Sequence, residues 1–152
     1  MSGARCDDLI AGYTKQGLFR MRAMDDHDDR AEKFSVFVVD DDPAVRNSLQ
    51  FALELEGYAV RTFANADQLL GRIDDERPGC LIVDYALPGP NGLELLGALR
   101  QRQIAAPAIL ITSHPNRGLR QLAAQAGVPI VEKPLLTDTL TDEIRALCGS
   151  HS

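Results

Sequence analysis

Cys80-Leu81-Ile82-Val83-Asp84 is the stretch on which the fold turns. Four apolar residues run without polar alternation and end on a carboxylate. A short continuous apolar run of this kind marks a strand covered on both faces. Pro78-Gly79 breaks the chain before it, and Pro88-Gly89-Pro90-Asn91-Gly92 is a turn cluster after it. A strand buried on both faces needs helices above and below, which is the layer pattern of an α/β sheet.

The same pattern recurs on both sides. Upstream, Phe34 to Val39 reads as a first strand. Asp42 suits the cap of a helix and Pro43 its first position. Val45, Leu49, Ala52 and Leu53 form that helix's apolar stripe, and Gly57 suits its end. Tyr58 to Phe63 reads as a second strand. Asn65 can cap a helix carrying Leu69, Leu70 and Ile73. Downstream of Asp84, a helix carries Leu93, Leu96 and Leu99. Ala108 to Ile111 reads as a fourth strand, and a helix with Leu119, Leu122, Ala123 and Ala126 ends at Gly127. Val128 to Val131 reads as a fifth strand, and Thr137 can cap a last helix with Leu140, Ile144 and Leu147. Five strands alternating with five helices imply a doubly wound parallel sheet, because crossovers between parallel strands are right-handed. Its binding crevice lies at the carboxyl ends of the strands.

Composition narrows the function. The chain has 152 residues, a formal net charge of −6, 45% hydrophobic and 25% charged residues. An acidic chain is a poor match for direct contact with nucleic acid, which needs clustered Lys and Arg. It suits protein partners and divalent cations. Cys6, Cys80 and Cys148 are odd in number and widely spaced, so they suggest neither a disulfide framework nor a zinc site. No apolar run approaches the roughly 20 residues that span a bilayer. The expected setting is the cytoplasm, with no membrane. Residues 1–33 differ from the rest: apolar positions between Leu9 and Met24 show some helical periodicity, and Asp25-Asp26-His27-Asp28-Asp29-Arg30 is a charged run. They are expected to form an extension, helical or disordered, before a domain at 34–148 and a tail at 149–152.

Polar residues gather where the crevice should be. The first strand leads into Asp40-Asp41-Asp42, the third ends at Asp84, the fourth at Thr112-Ser113 and the fifth at Glu132-Lys133-Pro134. Carboxylates crowded at one rim repel one another, and a hard divalent cation such as Mg²⁺ relieves that repulsion. Lys133 adds a point charge and Thr112 a hydroxyl. The set suits phosphoryl transfer to a carboxylate, with Asp84 as nucleophile, Asp40 and Asp41 holding the metal, and Lys133 stabilising the phosphoryl oxygens. Asp42 is read as a helix cap only.

These segments resemble the receiver domain of two-component response regulators, over roughly Phe34 to Leu147. The motifs are Val38-Val39-Asp40-Asp41-Asp42, Leu81-Ile82-Val83-Asp84 with Leu87-Pro88, Asn91-Gly92-Leu93-Glu94-Leu95-Leu96, Ile111-Thr112 and Val131-Glu132-Lys133-Pro134. The opening Asp-Asp-Asp-Pro-Ala-Val-Arg and the Glu-Lys-Pro ending are most similar to the group that includes the nitrogen-fixation regulators. The resemblance implies a flavodoxin-like sheet in strand order 2-1-3-4-5. It implies that Asp84 is phosphorylated by a sensor histidine kinase or a phosphotransfer protein. It also implies that Asp40, Asp41, Asp84 and the backbone carbonyl of Ala86 hold Mg²⁺, that Lys133 pairs with the phosphoryl group, and that Thr112 moves to contact it. Such a domain is not an enzyme toward free substrates, because it catalyses only its own phosphorylation and dephosphorylation. With only a few residues after the last helix, the expectation is a single-domain receiver that signals to a downstream protein by contact. Apolar residues on the fourth helix and fifth strand suggest a homodimer.

Three positions depart from the family pattern. Ile130 stands where an aromatic residue often sits three positions before the lysine, Pro115 follows His114 just after Thr112, and Leu87 replaces a more usual methionine. Ile130 motivates an alternative: a receiver-like interaction module that acts independently of phosphorylation. An aspartate-nucleophile phosphohydrolase would carry an acid/base carboxylate two residues after Asp84, where this chain has Ala86. A dinucleotide carrier would need a Gly-rich loop after the first strand, which is missing.

Overall fold

The computed structural model describes residues 33–135 and 137–148. The expected extension up to residue 32, the tail at 149–152, Cys6 and the side chain of Thr137 lie outside the described residues. The elements run β1 (Ser35–Val39), α1 (Pro43–Leu55), β2 (Ala59–Phe63), α2 (Ala66–Arg72), β3 (Cys80–Asp84), α3 (Gly92–Gln101), β4 (Ala108–Thr112), α4 (Arg117–Ala126), β5 (Ile130–Glu132) and α5 (Thr137–Cys148). All five strands are parallel and lie in the order β2-β1-β3-β4-β5. This is the doubly wound sheet expected from the sequence.

Strand side chains alternate between faces, and the core divides accordingly. Phe37, Val39, Leu81, Val83, Ala108 and Leu110 pack with Leu69, Leu95, Leu99, Leu119 and Ala123 of α2, α3 and α4. Val36, Val38, Ile82, Ile109 and Ile111 pack with Leu49 and Leu53 of α1 and with Leu140 and Ile144 of α5. Every residue of β3 and β4 is buried, which explains why those strands carry no polar alternation. Each fully buried Leu, Ile or Phe contributes roughly 1.5–3 kcal/mol of transfer free energy.

The helix starts follow local chemistry. Asp42 caps α1, its side chain accepting from the Ala44 amide, with Pro43 inside the first turn. Asn65 caps α2. Asn91 and Glu94 form a reciprocal capping box at α3, each side chain accepting from the other's backbone amide.

Several boundaries and faces differ from expectation. The fifth strand begins at Ile130 rather than Val128. The Val128 amide is spent on the Ala123 carbonyl at the end of α4 (2.9 Å), and Pro129 has no amide to give the ladder. The first strand begins at Ser35, with the Phe34 ring packed edge-on against Tyr58. Pro115 lies just before Asn116, which caps α4. On α4, Leu119 and Ala123 face the core, but Leu122 is 53% exposed and Ala126 is also outside.

Candidate functional site

Register explains why two aspartates meet. Strands β1 and β3 pair Val36 with Cys80 and Val38 with Ile82. Asp40 and Asp84 are the next residues of those same-face series, on neighbouring strands about 4.8 Å apart. Both are buried, at 0% and 4% exposure, whereas Asp41 is exposed. One carboxylate oxygen from each of Asp40, Asp41 and Asp84 falls within 4.8 Å of the others.

Lys133 closes the cluster from the end of β5. Its Nζ lies 3.1 Å from Asp40 Oδ2 and 3.5 Å from Asp84 Oδ1. The Lys133 amide donates to the Thr112 carbonyl at 2.9 Å, so the β4 end positions the lysine backbone. Thr112 is buried and follows Ile111, the register partner of Asp84. Its Oγ1 accepts a hydrogen bond from the His114 amide at 3.3 Å, which leaves its own proton free to be donated elsewhere. The Ala86 amide donates to Asp84 Oδ1 at 3.4 Å.

Burial pushes the Asp84 carboxyl above the usual carboxylate range, and the Asp40 charge adds to the rise. Lys133 and the Ala86 amide pull downward without cancelling it. Burial by itself would lower the Lys133 pKa, but its pairing with Asp40 and then Asp84 outweighs burial and holds the ammonium above its ordinary value. The acid and the base therefore stabilise different species. Lys133 is held charged, while Asp84 carries an unfavourable negative charge that a cation or a bond to an electrophile would relieve.

The donors suit a small hard cation. They are carboxylate oxygens, and Asp40 Oδ2 is buried with the Lys133 ammonium near it but with no well-aligned hydrogen-bond donor. An under-satisfied buried oxygen in such a cluster fits a metal ligand. The same arrangement can present Asp84 to an incoming phosphoryl group with positive charge on one side.

Residues 36–145 match the family of the response regulator receiver domain. The chain belongs to the response regulator receiver family. It is 35% identical over 115 residues to the transcriptional regulatory protein FixJ of Bradyrhizobium diazoefficiens, covering 75% of this chain and 56% of that one. Among solved structures, a response regulator receiver protein from Burkholderia phymatum is 32% identical with a TM-score of 0.70, over 79% of this chain and 98% of that one. A CheY-like receiver domain from Methanospirillum hungatei is 28% identical with the same TM-score, over 75% and 92%. The chain thus spans a little over half the length of the FixJ relatives it matches. The resemblance to receivers of the nitrogen-fixation group holds.

Two residues near the cluster were quoted within motifs of the sequence but were given no role there. Arg46 of α1 donates from Nη1 to the Asp40 carbonyl at 2.8 Å. Gly92 packs directly against the Asp84 backbone. Arg46 ends the Asp-Asp-Asp-Pro-Ala-Val-Arg opening, but nothing in that pattern says what its side chain touches. For Gly92 the sequence signal was a turn glycine, with nothing to say what it faced. The α3 capping box carries the local signature Asn91-x-x-Glu94 before an apolar run, a cap not among those expected from the sequence. Burial drives the Cys80 thiol far above the range in which it would react as a thiolate.

Proposed function

We propose that this receiver accepts a phosphoryl group on Asp84 from a sensor histidine kinase or a phosphotransfer protein, and signals by protein–protein contact. The observation that carries the reading is Lys133 Nζ standing between the two buried carboxylates, 3.1 Å from Asp40 and 3.5 Å from Asp84. An Asp84 carboxylate oxygen attacks phosphorus of a phosphohistidine. The O–P bond forms as the N–P bond breaks, and the electron pair returns to the imidazole. Lys133 shifts its pairing from the Asp84 carboxylate to the phosphoryl oxygens, and Thr112 donates its hydroxyl proton to them. Mg²⁺, held by Asp40, Asp41, Asp84 and the Ala86 carbonyl, would supply further positive charge there. The chemistry is confined to the domain's own aspartate, so no free substrate is turned over.

The net charge of −6 argues for protein rather than nucleic-acid contact by this chain. Among the described residues no helix is long and apolar enough to cross a membrane. Kinase-linked signalling of this kind places the proposed site of action in the cytoplasm. Intact-mass spectrometry after incubation with acetyl phosphate and Mg²⁺ tests the central step. Wild type should gain one phosphoryl group and Asp84→Asn none. Equal labelling of the two, or no labelling of either, overturns it.

Ile130 favours one competing reading, a module that binds its partner whether or not it is phosphorylated. The side chain is half-buried against the core at the start of β5, where the family often has an aromatic group. Equal partner affinity with and without beryllofluoride would favour this reading. A shift of about 1–3 kcal/mol would favour the switch. We also propose self-association through α4 and β5, where Leu122 is exposed. Sedimentation showing a monomer in both phosphorylation states would exclude it.

A further inference from the structure

We propose that Arg46 is a positioning residue for the metal ligand Asp41, acting through the backbone of Asp40. The inference rests on the reading of Asp40 and Asp41 as Mg²⁺ ligands.

Three of the four polar atoms of Asp40 are held by hydrogen bonds, and the fourth faces an ammonium group. Its amide donates to the Phe63 carbonyl of β2 at 3.1 Å. Its Oδ1 accepts from the Asp42 amide at 2.9 Å, and its Oδ2 faces Lys133. Its carbonyl oxygen accepts from the Arg46 guanidinium at 2.8 Å, across six residues. The first two bonds come from the sheet and the turn, and the ion pair comes from the residue after β5. The last is the one that comes from an α1 side chain.

The carbonyl of Asp40 and the amide of Asp41 belong to one rigid peptide plane. Fixing that oxygen fixes the direction in which the chain enters Asp41. Asp41 needs the help, because it is exposed and, among the described residues, its carboxylate has no hydrogen bond or ion pair of its own. Its aim toward the cluster is therefore set by its backbone. Arg46 suits the task because it reaches the carbonyl from the second turn of α1, whose amide at Arg46 also closes on the Asp42 carbonyl at 3.1 Å. The guanidinium makes no ion pair with the Asp40, Asp41 or Asp42 carboxylates among the described residues. It therefore leaves those oxygens available to a cation. The planar, always-charged fork keeps a strong charge-assisted bond to a neutral carbonyl.

The test is Mg²⁺ titration followed by the amide chemical shifts of Asp84, Tyr85 and Ala86. Arg46→Met keeps the apolar stem but loses the bond, and should bind Mg²⁺ about tenfold more weakly. Arg46→Gln, too short to reach the carbonyl, should do the same and serves if the first variant does not fold. Phosphorylation of Asp84 by acetyl phosphate should fall by a similar factor at limiting Mg²⁺ and return to the wild-type rate at saturation. Leu49→Val, a core truncation one turn along α1, should lower the melting temperature without changing Mg²⁺ affinity. Wild-type affinity in the Arg46 variants, or equal weakening in Leu49→Val, overturns the role of Arg46. Failure of the wild type to bind Mg²⁺ overturns instead the metal reading beneath it.

Discussion

A methyl group on Gly92 would lie 2.6 Å from the carbonyl oxygen of Asp84. It would also meet Leu110 Cδ1 at 2.8 Å and Tyr85 Cα at 3.0 Å. The first residue of α3 is thus pressed against the backbone of the proposed phospho-acceptor, and the Gly92 amide donates to the Tyr85 carbonyl at 2.9 Å. The obstacle is mostly backbone, which cannot turn aside.

Gly92→Ala should therefore destabilise the domain by about 1–3 kcal/mol, the usual cost of overpacking a filled site. Gly97→Ala, in the same helix, has nothing within 4 Å of the added atom. It should stabilise by roughly 0.5–1 kcal/mol through helix propensity. Urea denaturation of the pair measures both. Opposite signs are expected, and a Gly92 variant as stable as wild type would show that α3 can slide away from Asp84.

The contrast between those glycines shows where sequence reading stops. Strand periodicity, caps and turn clusters are local, and among the described residues they found each strand and helix, the start of the fifth strand apart, and the aspartates at the strand ends. Asp40, Asp84 and Lys133 were legible because a doubly wound topology sends the carboxyl ends of its strands to one rim. Which glycine is spatially required depends on an approach between residues eight apart, and no local pattern reports that. The contact of Arg46 was hidden for the same reason, since its partner is a carbonyl common to every residue. The fifth strand was misplaced because Val128 is β-branched and apolar, yet its amide is committed to α4. Leu122 fits a helical period, but its neighbours Leu119 and Ala123 already fill the core-facing line.

Lys133→Met should cost about 3 kcal/mol at neutral pH. The substitution leaves Asp40, fully buried, beside Asp84 with no compensating charge, and removing one partner of a buried pair is far costlier than the pair's net worth. Chemical denaturation without divalent cations is the measurement. A loss below about 1 kcal/mol would mean that water already screens the cluster.

Mg²⁺ should stabilise the folded domain by linkage, because the three-carboxylate cluster exists only in the native state. At ten times its dissociation constant the gain is about 1.4 kcal/mol. Thermal unfolding should show a rise in midpoint for wild type, and a much smaller one for Asp41→Asn. Because Asp41 is exposed, its substitution should barely change stability in EDTA. An equal Mg²⁺ response in both proteins would remove Asp41 from the ligand set.

Asp84→Asn should stabilise the metal-free domain at neutral pH, and the sign follows from its raised pKa. A carboxyl whose native pKa lies above its unfolded value of 3.8 binds its proton more tightly when folded. The stability this contributes is fully present below about pH 3.8 and is lost as pH rises through the native pKa. At neutral pH wild type has lost it, because the ionised group sits desolvated and close to Asp40. Asparagine keeps the shape of the protonated acid at every pH. The variant should therefore exceed wild type most above the native pKa of Asp84, with the gap closing as the solution is acidified. Urea unfolding in EDTA across this range measures the gap. Saturating Mg²⁺ should narrow or reverse it, since the carboxylate then has a cation to face. A variant less stable than wild type at neutral pH in EDTA would mean that Lys133 already compensates the Asp84 charge in full.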